Sequence, residues 1–265
     1  MEKHRIFWAN TNFFETWRLI VGGSDFSQIL GFDGLLITDC GHSFAFFNIA
    51  FVHRPLRRLE ESYERAFRHF TDRHFPSIIC FPPGLDNDSE TYVVNRGHKP
   101  AAPHPEMTLF RIPKPSDKSH ELKIRTVTDD KGLELFQTTA EEAFNMPFSL
   151  PKHLLKNRFR DHPAVSMFLG FVGDKPLSTS CLVTTGSSVA GIYWVSTLPD
   201  YRHRGYGTIM SWHAISAGEK LGCDMATLQA SIMGRPVYEK MGFKVTADFR
   251  RYILTSEDET PNATK

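Results

Sequence analysis

No stretch of the chain stays apolar long enough to cross a bilayer. The longest apolar run, 44–52, contains Asn48 and falls well short of the roughly 18 residues that a spanning helix requires, so no membrane partner is expected. There is also no excess charge of either sign. Lys and Arg total 31 against 30 Asp and Glu, a formal net charge of +1, and a nucleic-acid partner would call for a basic excess. Cysteine is sparse: Cys40, Cys80, Cys181 and Cys223 lie far apart without a C-x-x-C. In a chain large enough to need no staples they read as buried free thiols. Twelve histidines are present but no H-E-x-x-H, and His69 and His74 are five apart, which misses a shared helical face; no metal site is expected. Residues 1–8 carry charges with no apolar segment behind them, so a cytoplasmic protein without a secretory signal is expected.

Hydrophobic residues make up 41% and charged residues 23%, as in soluble globular chains. A length of 265 residues suits two modest domains. Between Gly97 and His120 the chain holds Pro100, Pro103, Pro105, Pro113 and Pro115, which deny it helix and ladder hydrogen bonds. The run 114–119 reads as a linker. The expected layout is a first domain over 1–117, a second over 118–257 and a flexible tail over 258–265.

The second half alternates in type. Residues 122–127 read as a strand; 132–144 read as an amphipathic helix, since Leu133, Phe136, Ala140 and Phe144 recur at three- and four-residue steps. A short helix is expected at 153–160. Strands at 166–172, 177–184 and 189–196 are separated by Gly173-Asp174 and Gly186, an antiparallel meander. A helix at 206–221 closed by Gly222, a strand at 225–230, a helix at 235–241 stopped by Gly242, and strands at 243–245 and 249–254 complete the order. This is an α/β chain with a mixed sheet. The first half gives a weaker echo: strand 44–52, helix 56–70, strand 78–81, helix 90–96 and strand 107–112. Phe44 and Ile78 are separated by 34 residues, Ile192 and Met225 by 33. The aromatics Phe13, Phe14, Trp17, Phe44, Phe46, Phe47 and Phe51 read mainly as core, with an acceptor pocket as the alternative.

The segment with chemistry in it is Arg202-His203-Arg204-Gly205-Tyr206-Gly207-Thr208, between a strand and a helix. Glycines bring backbone N–H groups close to a ligand. The first turn of a helix leaves about four N–H groups unpaired, a ready anion site. A Rossmann reading fails because Met210 stands where a third Gly or Ala belongs, and a P-loop reading fails for want of G-K-[ST]. In the first half, His53-Arg54-Pro55 takes the place of the Gly-rich loop.

Arg-x-x-Gly-x-Gly after a strand, preceded by Leu198-Pro199-Asp200-Tyr201 and followed by Pro236-Val237-Tyr238-Glu239-Lys240-Met241-Gly242-Phe243, resembles the GCN5-related N-acetyltransferase (GNAT) superfamily over about residues 120–254. The resemblance implies the GNAT fold, with the first half as a degenerate copy that lacks the coenzyme loop. It implies acetyl-coenzyme A, or another acyl-coenzyme A, as donor. The pyrophosphate would lie on Arg202, His203, Arg204, Gly205, Tyr206, Gly207 and Thr208. The pantetheine arm would pair with Val195, Ser196 and Thr197 where relatives splay two strands apart, with the Val195 N–H on the thioester carbonyl. Ser231 stands where many relatives carry an Asn that touches the pantetheine. Tyr238, four residues before Gly242, is the implied acid for the leaving thiolate, whereas the first half has Val93 in that register and Tyr92 five residues before Gly97. No general base declares itself; Glu141 and Glu142 read as a solvated helix face. The activity implied is an N-acetyltransferase acting on a primary amine, a small molecule favoured. The alternatives are a non-catalytic acyl-coenzyme A sensor and a protein or peptide N-acetyltransferase.

Overall fold

The computed structural model describes residues 2–83, 85, 87–102, 104–112, 121–147, 149–186 and 188–254. The expected linker at 114–119 and tail at 258–265 lie outside the described residues. The chain divides into two compact units, one of residues 1–25 and 104–247, the other of residues 26–103 and 248–265.

The larger unit is built on a seven-stranded mixed sheet. Its elements are helix α1 (Glu2–Gly22), strand β5 (Pro105–Phe110), β6 (Lys123–Thr126), α4 (Asp130–Phe144), α5 (Leu150–Leu154) and α6 (Asn157–Arg160). Then follow β7 (Val165–Val172), β8 (Lys175–Thr185), β9 (Val189–Thr197), α7 (Tyr206–Lys220), β10 (Met225–Gln229), α8 (Arg235–Lys240) and β11 (Lys244–Asp248). The strand order is β11-β5-β10-β9-β8-β7-β6. Strands β7, β8 and β9 form the antiparallel meander, and β9 pairs in parallel with β10 across the α7 crossover. Asp129 caps α4 by accepting from the Gly132 N–H at 2.7 Å, and Asn145 in the left-handed region ends it. One core cluster lies between the sheet and α7, with Phe168, Leu182, Ala190 and Ile192 meeting Met210, Ala214 and Ile215.

The smaller unit holds β1 (Gln28–Phe32), β2 (Leu35–Asp39), β3 (Ile49–Val52), α2 (Leu59–Thr71), β4 (Ser77–Phe81), α3 (Asn87–Asn95) and β12 (Arg250–Leu254). Its sheet runs β1-β2-β3-β4-β12. A meander again leads into a parallel pair, β3 with β4, joined by α2. The repeated order is therefore the same in both units. The near-equal spacing of 34 and 33 does not carry over to the ladders, where Ile49 faces Ile78 and Val189 faces Met225. Residues 44–48 form turns rather than strand, with the Phe47 and Asn48 N–H groups donating to the Phe44 and Ala45 carbonyls.

Two strands sit in the sheet that the linear reading does not give them. Strand β5, expected as the last strand of the first domain, pairs antiparallel with β10, Met107 opposite Leu228. Strand β12, expected to complete the second sheet, pairs antiparallel with β4, Tyr252 opposite Ile79. Each parallel pair thus receives its antiparallel neighbour from the other half of the chain. Either strand satisfies either edge, because ladder hydrogen bonds are the same for any sequence and only burial chooses between them. Helix α1 was not expected at all; it buries Ala9, Phe13, Trp17, Ile20 and Val21 in the larger unit. The segment 153–160 forms two short helices instead of one. The aromatics divide between cores: Phe13 and Trp17 meet edge-on at 4.6 Å in the larger unit, Phe46 and Phe47 at 5.1 Å in the smaller. All four cysteines are free and buried. Among the described residues no helix is long and apolar enough to cross a membrane.

Candidate functional site

Strands β9 and β10 are paired only over three positions, ending at Gly191 opposite Thr227. Beyond that pair β9 continues to Thr197 against β8 alone, so the two parallel strands part at their carboxyl ends. Register against β8 is also broken: Cys181 faces Tyr193 and Thr179 faces Ser196, which leaves Trp194 and Val195 opposite the single residue Ser180. Trp194 takes a positive φ of 51° to make this bulge. The Thr179 hydroxyl donates to the Trp194 carbonyl at 2.6 Å, and the Ser178 hydroxyl to that of Ser196, so side chains of β8 hold the irregular stretch in place. The Ser196 hydroxyl lies 2.7 Å from that of Thr179, and the Thr197 hydroxyl 2.9 Å from that of Ser178. Val195 has a register partner on neither side.

From the end of β9 the chain passes through a short 3-10 turn at Pro199–Tyr201 into the start of α7. His203 and Gly205 both have positive φ, 63° and 80°, the turn that a loop closing on a helix start requires. Gly205 is the N-cap and no side chain caps the helix. The first-turn N–H groups are thus left for a ligand or water. A Cβ added at Gly205 or Gly207 would meet nothing within 4 Å, so the backbone there faces open space.

The two arginines differ in employment. Arg202 donates to the Ala143 carbonyl at 2.7 Å and to the Thr197 carbonyl at 3.2 Å, tying the last turn of α4 to the end of β9. Arg204 is exposed, with its guanidinium over the Tyr201 ring at 5.3 Å. Tyr206 turns its buried ring inward, and its hydroxyl bonds to Glu121, which raises the phenol's pKa. Only the backbone of Tyr206 is therefore offered at the loop.

Tyr238 sits on α8 and packs against the α7 core cluster, its ring 5.7 Å from Phe243. Burial pushes its phenol up to about 12, opposed by the neighbouring Ser211 hydroxyl. Ser211, on α7, donates to the Gly207 carbonyl at 2.8 Å, so one small side chain touches both the loop helix and the phenol. Ser231 is exposed and accepts from the Gly234 N–H at 3.1 Å, ordering the turn before α8. Val195, residues 202–208, Ser231 and Tyr238 thus all belong to the larger unit, on the elements that end or begin around the parting of β9 and β10. Ser211, which links the loop helix to the phenol, lies outside the motif that marks the rest of the site in the sequence.

The smaller unit has the matching helix start and closes it. The Asp33 carboxylate accepts from the Arg58 N–H at 2.7 Å and from the Ser62 hydroxyl at 2.9 Å, at the first turn of α2. The Arg58 N–H holds the Asp33 carboxyl below its ordinary value. Val93 is fully packed in that unit's core, and the Tyr92 hydroxyl accepts from Arg96 at 2.6 Å.

Residues 132–243 match the acetyltransferase (GNAT) family. The chain is similar to a GCN5-related N-acetyltransferase from Kribbella flavida at 14% identity, with a TM-score of 0.69 over 92% of this chain and 94% of that one. A GCN5-related N-acetyltransferase from Sphaerobacter thermophilus gives 14% identity and a TM-score of 0.61 over 86% and 75%. A tandem GNAT protein from the clavulanic acid biosynthesis pathway gives 10% and 0.58 over 84% and 79%. At such identities these likenesses establish the fold, a two-domain GNAT arrangement. The sequence finds no match among curated proteins.

Proposed function

Residues 132–243 form a domain of the acetyltransferase (GNAT) family, and from that premise we propose that the protein transfers the acetyl group of acetyl-coenzyme A to a primary amine of a small molecule. The observation that carries this reading is the coincidence of two features at the end of β9. The strand loses its parallel neighbour after Gly191, and the next helix begins at the uncapped Gly205. The residues suit such a donor. Open space at Gly205 and Gly207 and the free first turn of α7 fit a pyrophosphate, with the helix dipole adding to the attraction. Arg204 supplies positive charge at the rim, while Arg202 keeps α4 and β9 in register with one another. The unpaired edge of Val195, Ser196 and Thr197 suits an extended amide-bearing arm added like a strand. Ser231 retains a hydroxyl proton to donate toward the same arm.

A thioester supplies an activated acyl carbon, and the protein's part is to orient it, stabilise the oxyanion and protonate the sulfur. The Val195 N–H, outside both ladders, serves the oxyanion. Tyr238 holds its proton throughout the neutral range, and its phenol lies well above an ordinary thiol near 8.5. Its role is to give its proton to the sulfur as the C–S bond breaks, with the neighbouring Ser211 hydroxyl stabilising the phenolate that forms. The smaller unit takes no part in coenzyme binding because Asp33 already fills the start of α2 with a carboxylate.

The test is incubation with acetyl-coenzyme A and a panel of small primary amines, polyamines and peptides, read by mass spectrometry of the acceptors. Acetylated small amines are expected. An unmodified panel would refute the reading, and acetylated peptides alone would move the acceptor class to proteins.

A further inference from the structure

Strand β8 runs inside its sheet, between β7 and β9, where branched apolar residues pack best. It carries three consecutive hydroxyls there instead, Ser178, Thr179 and Ser180, all fully buried. A buried hydroxyl weakens a core unless it is hydrogen-bonded. Ser180 turns to the α7 side and donates to the Met210 carbonyl at 3.1 Å. Thr179 faces the opposite side by strand alternation and donates to the Trp194 carbonyl at 2.6 Å. That bond uses its single proton, so the Ser196 hydroxyl, 2.7 Å away, donates to Thr179 in turn.

The Trp194 carbonyl is one half of a peptide plane whose other half is the Val195 N–H. That peptide is trans, so its C=O and N–H point in opposite directions. With the carbonyl drawn toward β8, the N–H points away from β8, to the edge that β10 leaves free after Thr227. Ladder bonds do not fix this plane, since Val195 pairs in neither ladder. The local backbone does not choose it either. Trp194 has a φ of 51°, a left-handed conformation that a bulky residue keeps only when its surroundings impose it. The Thr179 hydroxyl supplies that constraint at the carbonyl.

Resting on the acyltransferase reading, we propose that Thr179 is a positioning residue: by clamping the Trp194 carbonyl it aims the Val195 N–H at the thioester oxygen, where negative charge gathers as the amine adds. It touches neither coenzyme nor acceptor and acts through the shared peptide plane. A donor to an oxyanion is effective only when it is already aimed, and a misplacement of about 1 Å can cost about 10²-fold in rate. A hydroxyl on β8 that the reaction never meets thus sets the direction of the N–H that it uses.

The experiment compares wild type, Thr179→Val, Thr179→Ala, Thr179→Ser and Ser180→Ala. It reads kcat and KM with acetyl-coenzyme A and an amine the wild type accepts, and calorimetric Kd values for acetyl-coenzyme A and for free coenzyme A. Thr179→Val and Thr179→Ala should lose about 10²-fold in kcat. Their Kd for acetyl-coenzyme A should rise about fivefold, while that for free coenzyme A, which has no thioester carbonyl, stays within about twofold. Thr179→Ser keeps the hydroxyl and should retain at least about a third of the wild-type kcat. Ser180→Ala removes a buried hydroxyl of the same strand away from the bulge, so it should lower Tm yet leave kcat within about twofold. A folded Val or Ala variant with the wild-type kcat, or with the wild-type ratio of the two Kd values, overturns the proposal. A Ser variant as slow as Val, or an equal loss in Ser180→Ala, overturns it too. A wild type that acetylates no amine removes the acyltransferase reading instead, and the two Kd values then decide the clamp by themselves.

Discussion

The Asp33 carboxylate and the Arg58 N–H are 2.7 Å apart, and that bond marks a structural difference between the two units. Both units carry a parallel strand pair joined by a helix. In one the helix start is stoppered by the protein's own anion, and in the other Gly205 leaves it open. Removing the stopper should cost stability without creating a coenzyme site, because residues 53–58 lack the glycines that would let phosphate approach. Asp33→Ala is expected to lower Tm by about 2–4 °C, with coenzyme stoichiometry unchanged in calorimetry. The loss should be visible at neutral pH and vanish in acid. The Asp33 carboxyl sits below its ordinary 3.8 when folded, so its contribution is present above that value and lost as pH falls through the lower folded pKa. A second equivalent of bound coenzyme would contradict the assignment.

The converse substitution is Gly207→Asp. A carboxylate in the first turn of α7 suits the helix dipole, and replacing a helical glycine removes an entropic penalty, so stability should hold or rise slightly. Open space beside Gly207 gives the side chain room. Coenzyme affinity should nonetheless fall at least about tenfold, since the new charge competes with the phosphates. Equal affinity in a calorimetric titration would place the coenzyme elsewhere.

Tyr238→Phe keeps the ring against Phe243 and removes only the hydroxyl. Turnover should fall about 10²-fold or more with the coenzyme Kd within a factor of about two. Because burial holds the phenol up to about 12, no limb of the wild-type pH profile between 6 and 10 should be traceable to this residue. Wild-type turnover by the variant would remove Tyr238 from the mechanism.

Glu106 makes a prediction about stability that needs no substrate. Its folded pKa is raised from 4.5 to about 8, so between those values the folded state binds the proton more tightly than the unfolded one. Stability is therefore lost as pH rises from about 4.5 through 8, by an amount on the order of 5 kcal/mol. Glu106→Gln escapes this loss. Urea midpoints for the two proteins should be similar near pH 4 and diverge in favour of Gln by pH 9. Parallel midpoints would mean that the carboxylate is already solvated or paired in the fold.

Much of the larger unit was legible because its signals are local. The meander, α7 and the 202–208 loop follow from turn glycines and periodicity, and the open α7 start follows from the same glycines. Helix α1 carries a signal as well, in Ala9, Phe13, Trp17 and Ile20 at helical steps, but the intermediate helix propensity of Phe and Trp leaves these residues equally suited to the core of any element. The exchange of β5 and β12 was not legible, since a strand's sequence states which face is buried and leaves the identity of its neighbour open. That exchange also hid Glu106: as part of a first-domain strand it has no reason to meet Gln229, and only the β5–β10 ladder brings the two together.

The most direct measurement of the central claim is the rate of thiol release from acetyl-coenzyme A with and without small primary amines, for the wild type beside Gly207→Asp. Amine-dependent release by the wild type, lost in the variant at coenzyme concentrations below its Kd, is the predicted result. Release that no amine accelerates, or that the Asp variant matches, would contradict acyl transfer at the start of α7.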